Sequence, residues 1–110
     1  MNASIAQQSW HGALHTTLDC HHTVALIASA KAKKLAHELT LYDEYFLCLQ
    51  AGYDVEVVRV LKVQEDVVTL LRGQRGTAPN IWPAGTWLRS NISVSSYLPR
   101  SVSRSWDLYY

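Results

Sequence analysis

The chain has 110 residues, is 48% hydrophobic and 17% charged, and carries a formal net charge of +1. It is too apolar for intrinsic disorder, of a size for one domain, and too neutral to suggest an electrostatic partner such as nucleic acid or an anionic membrane. No run of about 18 apolar residues exists, so no segment reads as a membrane helix.

Residues 1 to 15, MNASIAQQSWHGALH, lack a basic stretch and a continuous apolar stretch, so no secretory signal is expected. The chain is therefore expected to be made in the cytoplasm, with Cys20 and Cys48 reduced and not bridged.

Residues 1–12 are small, polar and irregular and read as an N-terminal arm. Residues 13–19, ALHTTLD, suit a short strand. So do residues 23–28, TVALIA, although this run can equally begin a helix. Ser29 is a candidate N-cap. Behind it Ala32, Leu35, Ala36 and Leu39 share one face of a helix over residues 29–39, with Lys31, Lys33, Lys34 and Glu38 on the rest. The three lysines read as a solvated face, not as a basic patch.

From Asp43 the period changes to two. Tyr45, Leu47 and Leu49 alternate with Phe46, Cys48 and Gln50, so this strand is expected to be covered on both sides. Ala51 to Asp54 is a turn. In the next strand Val55, Val57, Arg59, Leu61 and Val63 share one face, and Glu56, Val58, Val60 and Lys62 the other. Gln64-Glu65-Asp66 turns the chain back into Val67–Leu71, a hairpin. If the face of Val57 and Leu61 is inward, aspartate at either is poorly tolerated. Arg72-Gly73-Gln74-Arg75-Gly76-Thr77 is a sharp reversal, and Ala78–Ala84 is a loop with Pro79 and Pro83. A last strand runs from Trp87 to Val94, and residues 95–110 form a Ser- and aromatic-rich tail without a clean period.

None of the chemistry-bearing clusters completes a site. His11 and His15 stand at i, i+4, with Cys20, His21 and His22 nearby, but no carboxylate completes a ligand set. No metal is expected, and replacing His11, His15, His21 and His22 together by Ala should leave the fold intact. The Arg72–Thr77 loop lacks the Gly-Lys-Ser/Thr signature of a phosphate loop and no helix follows it. Glu65 and Asp66 suit a solvated hairpin tip, no two carboxylates have acid–base spacing, and Cys48 sits among leucines. No catalytic residue and no cofactor are expected.

The stretch from residue 54 to 94 does carry a pattern: Val55-Glu56-Val57-Val58-Arg59-Val60, then Arg72-Gly73-Gln74-Arg75-Gly76-Thr77, then Trp82-Pro83-Ala84-Gly85-Thr86. With its flank from about residue 40, it resembles a small β module of tailed-bacteriophage tail, baseplate and fibre-attachment proteins, with its "E-x-V-x-V … R-G-x-x-G-T … W-P-A-G-T" arrangement. The run before Tyr45 departs from that pattern in being more helical and Lys-rich. The resemblance implies that Arg72–Thr77 is a structural turn with Arg75 at its tip, and that the protein is a virion component working through protein–protein contact.

The expected fold is mainly β: a small antiparallel sandwich or barrel-like domain spanning residues 1–110, with one short helix, a core over 13–94 and extended termini. The expected role is a non-enzymatic tail, baseplate or fibre-attachment subunit that contacts other virion proteins and copies of itself, and neither nucleic acid nor membrane. A neck or head–tail connector protein is the alternative within that class. A carbohydrate-binding receptor module, with Trp82 and Trp87 stacking on sugar rings, is the alternative outside it. Four Trp and six Tyr against one Phe favour rings with polar tips, which suit half-buried contacts; most are expected to be core and strand residues, with contact roles for those near the C-terminus. The expected contact residues are Arg75, Trp82 and Trp87, with Tyr97, Trp106, Tyr109 and Tyr110 in a tail that a neighbour would order. Deleting residues 98–110 is expected to spare folding and reduce incorporation into particles.

Overall fold

The computed structural model describes residues 10–90. Residues 1–9 and 91–110 lie outside it, and with them the terminal arms and the expected contacts Tyr97, Trp106, Tyr109 and Tyr110.

The described chain forms strands β1 (His11–Ala13) and β2 (Val24–Leu26), helix α1 (Ser29–Glu38), and strands β3 (Phe46–Ala51), β4 (Asp54–Gln64), β5 (Val67–Gln74) and β6 (Trp87–Ser90). All six strands join one antiparallel sheet in the order β1-β6-β3-β4-β5-β2, curled into a half-barrel. The long period-two runs supply β3, β4 and β5, joined by turns of two residues at Gly52-Tyr53 and Glu65-Asp66. β6 does not follow β5 in the sheet. It crosses over to pair with β3 on one side and β1 on the other. The His15 N–H reaches the Leu26 carbonyl at 2.9 Å, so the segment after β1 ties back to the opposite edge strand β2.

The inward face carries Leu47 and Leu49 of β3, Val58 and Val60 of β4, Val68 and Leu70 of β5, and Leu88 of β6, all buried. α1 packs against β4 through Ala32 and Leu35, which are wholly buried, as the helical spacing requires. Its N-cap is Ala28, not Ser29, and no side chain caps it. Two hydrogen bonds fasten the helix: Trp10 Nε1 donates to the Lys31 carbonyl (2.8 Å), and the Tyr45 hydroxyl donates to Glu38 Oε1 (3.3 Å).

Two expectations need correction. Trp10 is 4% exposed and belongs to the core, and the first strand begins at His11, so the chain is built into the fold before residue 13. An indole of that size gains too much from burial to stay in an arm. Second, the inward face of β4 is the one with Glu56, Val58 and Val60. Leu61 is 49% exposed, at a bulge where β4 has one residue more than β5 between Val60 and Lys62. The extra residue moves the alternation on by one, so Val63 packs against the core.

Candidate functional site

Glu56 stands on the inward face of β4, opposite Leu49 and two residues from Val58, and has no solvent exposure. A carboxylate there costs several kcal/mol unless its oxygens are fully engaged. They are. Arg72 of β5 donates to both oxygens, from Nε to Oε2 at 2.7 Å and from Nη2 to Oε1 at 2.9 Å. The Gly73 N–H donates to Oε2 at 3.0 Å, and the Asn80 N–H and Trp82 Nε1 donate to Oε1 at 3.0 and 2.8 Å. The remaining guanidinium hydrogens reach the carbonyls of Asp19 (2.6 Å), His22 (2.7 Å) and Asn80 (2.6 Å). All five N–H donors of Arg72 are thus used, in the forked geometry that arginine offers and lysine lacks. Burial pushes the Glu56 carboxyl up, but the donors from Arg72, Trp82, Gly73 and Asn80 outweigh it and hold the group below its ordinary value.

A second bulge makes this possible. Between the pairs Val57–Gln74 and Arg59–Leu71, β5 carries two residues, Arg72 and Gly73, opposite the single Val58. Gly73 has φ +60°, and a Cβ there would lie 2.8 Å from Pro79 Cδ and 3.2 Å from the Thr77 carbonyl oxygen. Only glycine fits this kink, which directs Arg72 inward and its own N–H at Glu56. The chain then reverses through Arg75 (φ 58°) and Gly76 (φ 83°), closed by Thr77 N–H to the Gln74 carbonyl at 3.1 Å. Thr77 Oγ1 donates to the Gln74 carbonyl (2.6 Å) and accepts from the Val57 N–H (3.0 Å). In the second half of the pattern Trp82 pairs its backbone with Leu18 at 2.8 and 2.9 Å, and Pro83 to Thr86 form a turn closed onto the Pro83 carbonyl with Gly85 at φ +91°.

Glu56, Arg72, Gly73 and Trp82 of the pattern therefore meet in one place, with Glu56 at the centre. This convergence was not foreseen, although a signal was present: a lone acid on the same strand face as Val58 and Val60, and an arginine returning on the next strand.

The expected contact residues divide. Trp82 is 1% exposed, is a core ring, and has its indole N–H bound to Glu56, so it is not presented to a partner. Arg75 is exposed at the turn, where its guanidinium lies 4.3 Å from the centroid of the Phe46 ring and covers it. Trp87 is 58% exposed on the outward face of β6. Its ring stacks on His11 with centroids 5.8 Å apart and 18° between the planes.

Trp87 and His11 belong to a hollow of about 620 Å³ on the outward side of β1, β6 and β3, lined also by Gln50, Gly52 and Arg89. Register explains the set. Arg89 pairs with His11 on one side and Cys48 on the other, while Gln50 follows Leu49, the partner of Leu88. Among the described residues no three His, Cys, Asp or Glu side chains gather as metal ligands would. His15, His21 and His22 are exposed, and His22 Nδ1 accepts from the Asp19 N–H at 3.1 Å. Both cysteines are free thiols, and burial pushes the Cys48 thiol up, away from nucleophile behaviour.

No family model matches the chain, and no curated protein does.

Proposed function

We propose that this chain is a non-enzymatic structural component of a tailed-phage virion, in the tail, baseplate or fibre-attachment region, acting through contacts with other virion proteins and with copies of itself. The observation that supports this reading best is the mutual dependence of the residues that carry the resemblance. Arg72, Gly73 and Trp82 all bond the buried carboxylate of Glu56, and Thr77 ties the adjoining turn to Val57, the next residue of β4. A pattern with that job travels with a fold used as a building block, not with a reaction centre. In this reading Arg75 is among the described residues that face neighbours, and residues 95–110 add an assembly arm. A two-ring sugar platform of Trp82 and Trp87 is not formed, because Trp82 is buried.

The test is composition. Particles purified from cells making the phage that encodes this chain are expected to contain it in fixed stoichiometry, with cross-links from residues near Arg75 to a neighbouring tail or baseplate protein. A chain that stays in the soluble fraction while complete particles lack it would end this reading. Cross-links to portal or neck proteins alone would replace it with the connector assignment.

A further inference from the structure

The hollow around Trp87 has a composition that a plain protein contact does not need. Apart from Trp87 and Gly52, the described residues that line it are polar: His11, Gln50 and Arg89. Among the described residues no Asp or Glu lines it. Among the described residues the Arg89 guanidinium has no carboxylate or carbonyl partner, whereas Arg72 uses every donor it has. Gly52, at φ +61° with nothing within 4 Å of the position a Cβ would take, leaves one end open. A small apolar ligand would find one aromatic wall and no enclosure, and a protein hot spot would want more apolar surface around its anchor. A pyranose suits the set better. Its C–H face stacks on an indole, and its hydroxyls take hydrogen bonds from an amide such as Gln50. Arg89 adds a preference for a carboxylate, which it can hold with two parallel N–H donors.

We propose that the hollow formed by His11, Gln50, Gly52, Trp87 and Arg89 binds a saccharide that bears a carboxylate, a hexuronic acid unit within a glycan. Trp87 stacks on the ring, Gln50 bonds its hydroxyls and Arg89 holds its carboxylate. The size agrees: ligand pockets run to roughly 300–1,000 Å³. This site stands or falls independently of the chain's place in a particle, because it is read out on the isolated protein.

The experiment follows the Trp87 indole N–H by NMR while the full chain is titrated with methyl glucuronide, methyl glucoside and N-acetyl-aspartate amide. Methyl glucuronide is expected to give a saturable shift, several-fold tighter than the glucoside, with the aspartate derivative weakest. Trp87→Ala should abolish binding of both sugars, read from the Gln50 side-chain amide. Arg89→Gln should weaken the glucuronide roughly three- to tenfold, as loss of a solvent-exposed charge-assisted bond does, and leave the glucoside unchanged. Both residues are exposed, so neither change threatens folding. Absence of a saturable shift with either sugar would overturn the proposal, as would equal affinity for the two sugars. An aspartate derivative that binds as tightly as the glucuronide would also overturn it, assigning the hollow to an acidic protein segment.

Discussion

Arg72 and Trp82 lie inside the half-barrel, while Arg89 and Trp87 lie on its outer face. The residue types are the same and the surroundings opposite. The Arg72 side chain is 6% exposed and spends all five donors on Glu56 and three backbone carbonyls; Arg89 is exposed beside a ring that is itself 58% exposed. Trp82 gives its N–H to a carboxylate, and Trp87 stacks on a surface histidine. The difference lies in what each pair can do without. The inner pair has no water to fall back on, so every polar atom must be matched inside the chain, and the backbone is bent at Gly73 to achieve it. The outer pair has water, so it keeps spare capacity, and spare capacity is what a binding surface requires.

The largest effect comes from breaking the ion pair that Arg72 makes with Glu56 inside the half-barrel. Glu56→Gln leaves Arg72 buried without its counter-charge and is expected to cost about 3–5 kcal/mol in urea unfolding. Arg72→Met leaves Glu56 stranded and should be comparably damaging, while the double variant Glu56→Gln, Arg72→Met should be less unstable than the two single costs added together. Strictly additive costs would show that the two residues are not one unit.

Val57→Asp comes next. Val57 is only 7% exposed, so the change should cost about 2–3 kcal/mol, whereas Leu61→Asp, at the exposed bulge, should stay within about 0.5 kcal/mol. Equal sensitivity at both positions would contradict the register given above.

Gly73→Ala meets both the positive φ and the Pro79 ring, and is expected to cost about 1–3 kcal/mol. Gly52→Ala has a similar φ but open space, and should cost nearer 1 kcal/mol. Thermal unfolding of the two variants side by side separates the clash from the strain they share.

The pH dependence follows from Glu56. Its folded-state pKa is depressed, so the folded chain binds the proton less readily than the unfolded chain. The stabilisation is complete above the ordinary glutamate value of about 4.3 and is lost as pH falls through the lower folded-state value. A carboxyl ¹³C titration of Glu56 with a midpoint above about 4.3 would refute this.

The smallest effect belongs to the outer pair. Trp87→Ala and Arg89→Gln should change stability by less than about 1 kcal/mol while altering whatever binds there. A variant at either position that unfolds the chain would make the outer pair structural too.

The β-rich class, the helix after residue 28, the hairpins at Ala51–Asp54 and Gln64–Asp66 and the reversal at Gly73–Gly76 were legible in the sequence. Each depends on local matters: a side-chain period, or a turn between matched runs. What could not be read locally was decided by partners far along the chain. Alternation divides β4 into two faces but does not say which one is inward. The burial of Val58 and Val60 with Glu56 became visible only when α1, β3 and β5 were placed around them. The inward turn of Trp82 rests on a carboxylate 26 residues earlier, and the place of Trp10 in the core rests on Lys31 and on Ser90, whose Oγ accepts its N–H across 80 residues. A tryptophan looks the same in sequence whether its N–H will meet Glu56 or open water. Period and turn chemistry act between neighbours, so the sequence alone determined the elements. Burial and charge pairing act between whichever surfaces the fold brings together, so only the tertiary structure decided which arginine and which tryptophan hold the protein up and which stand exposed on the outer face.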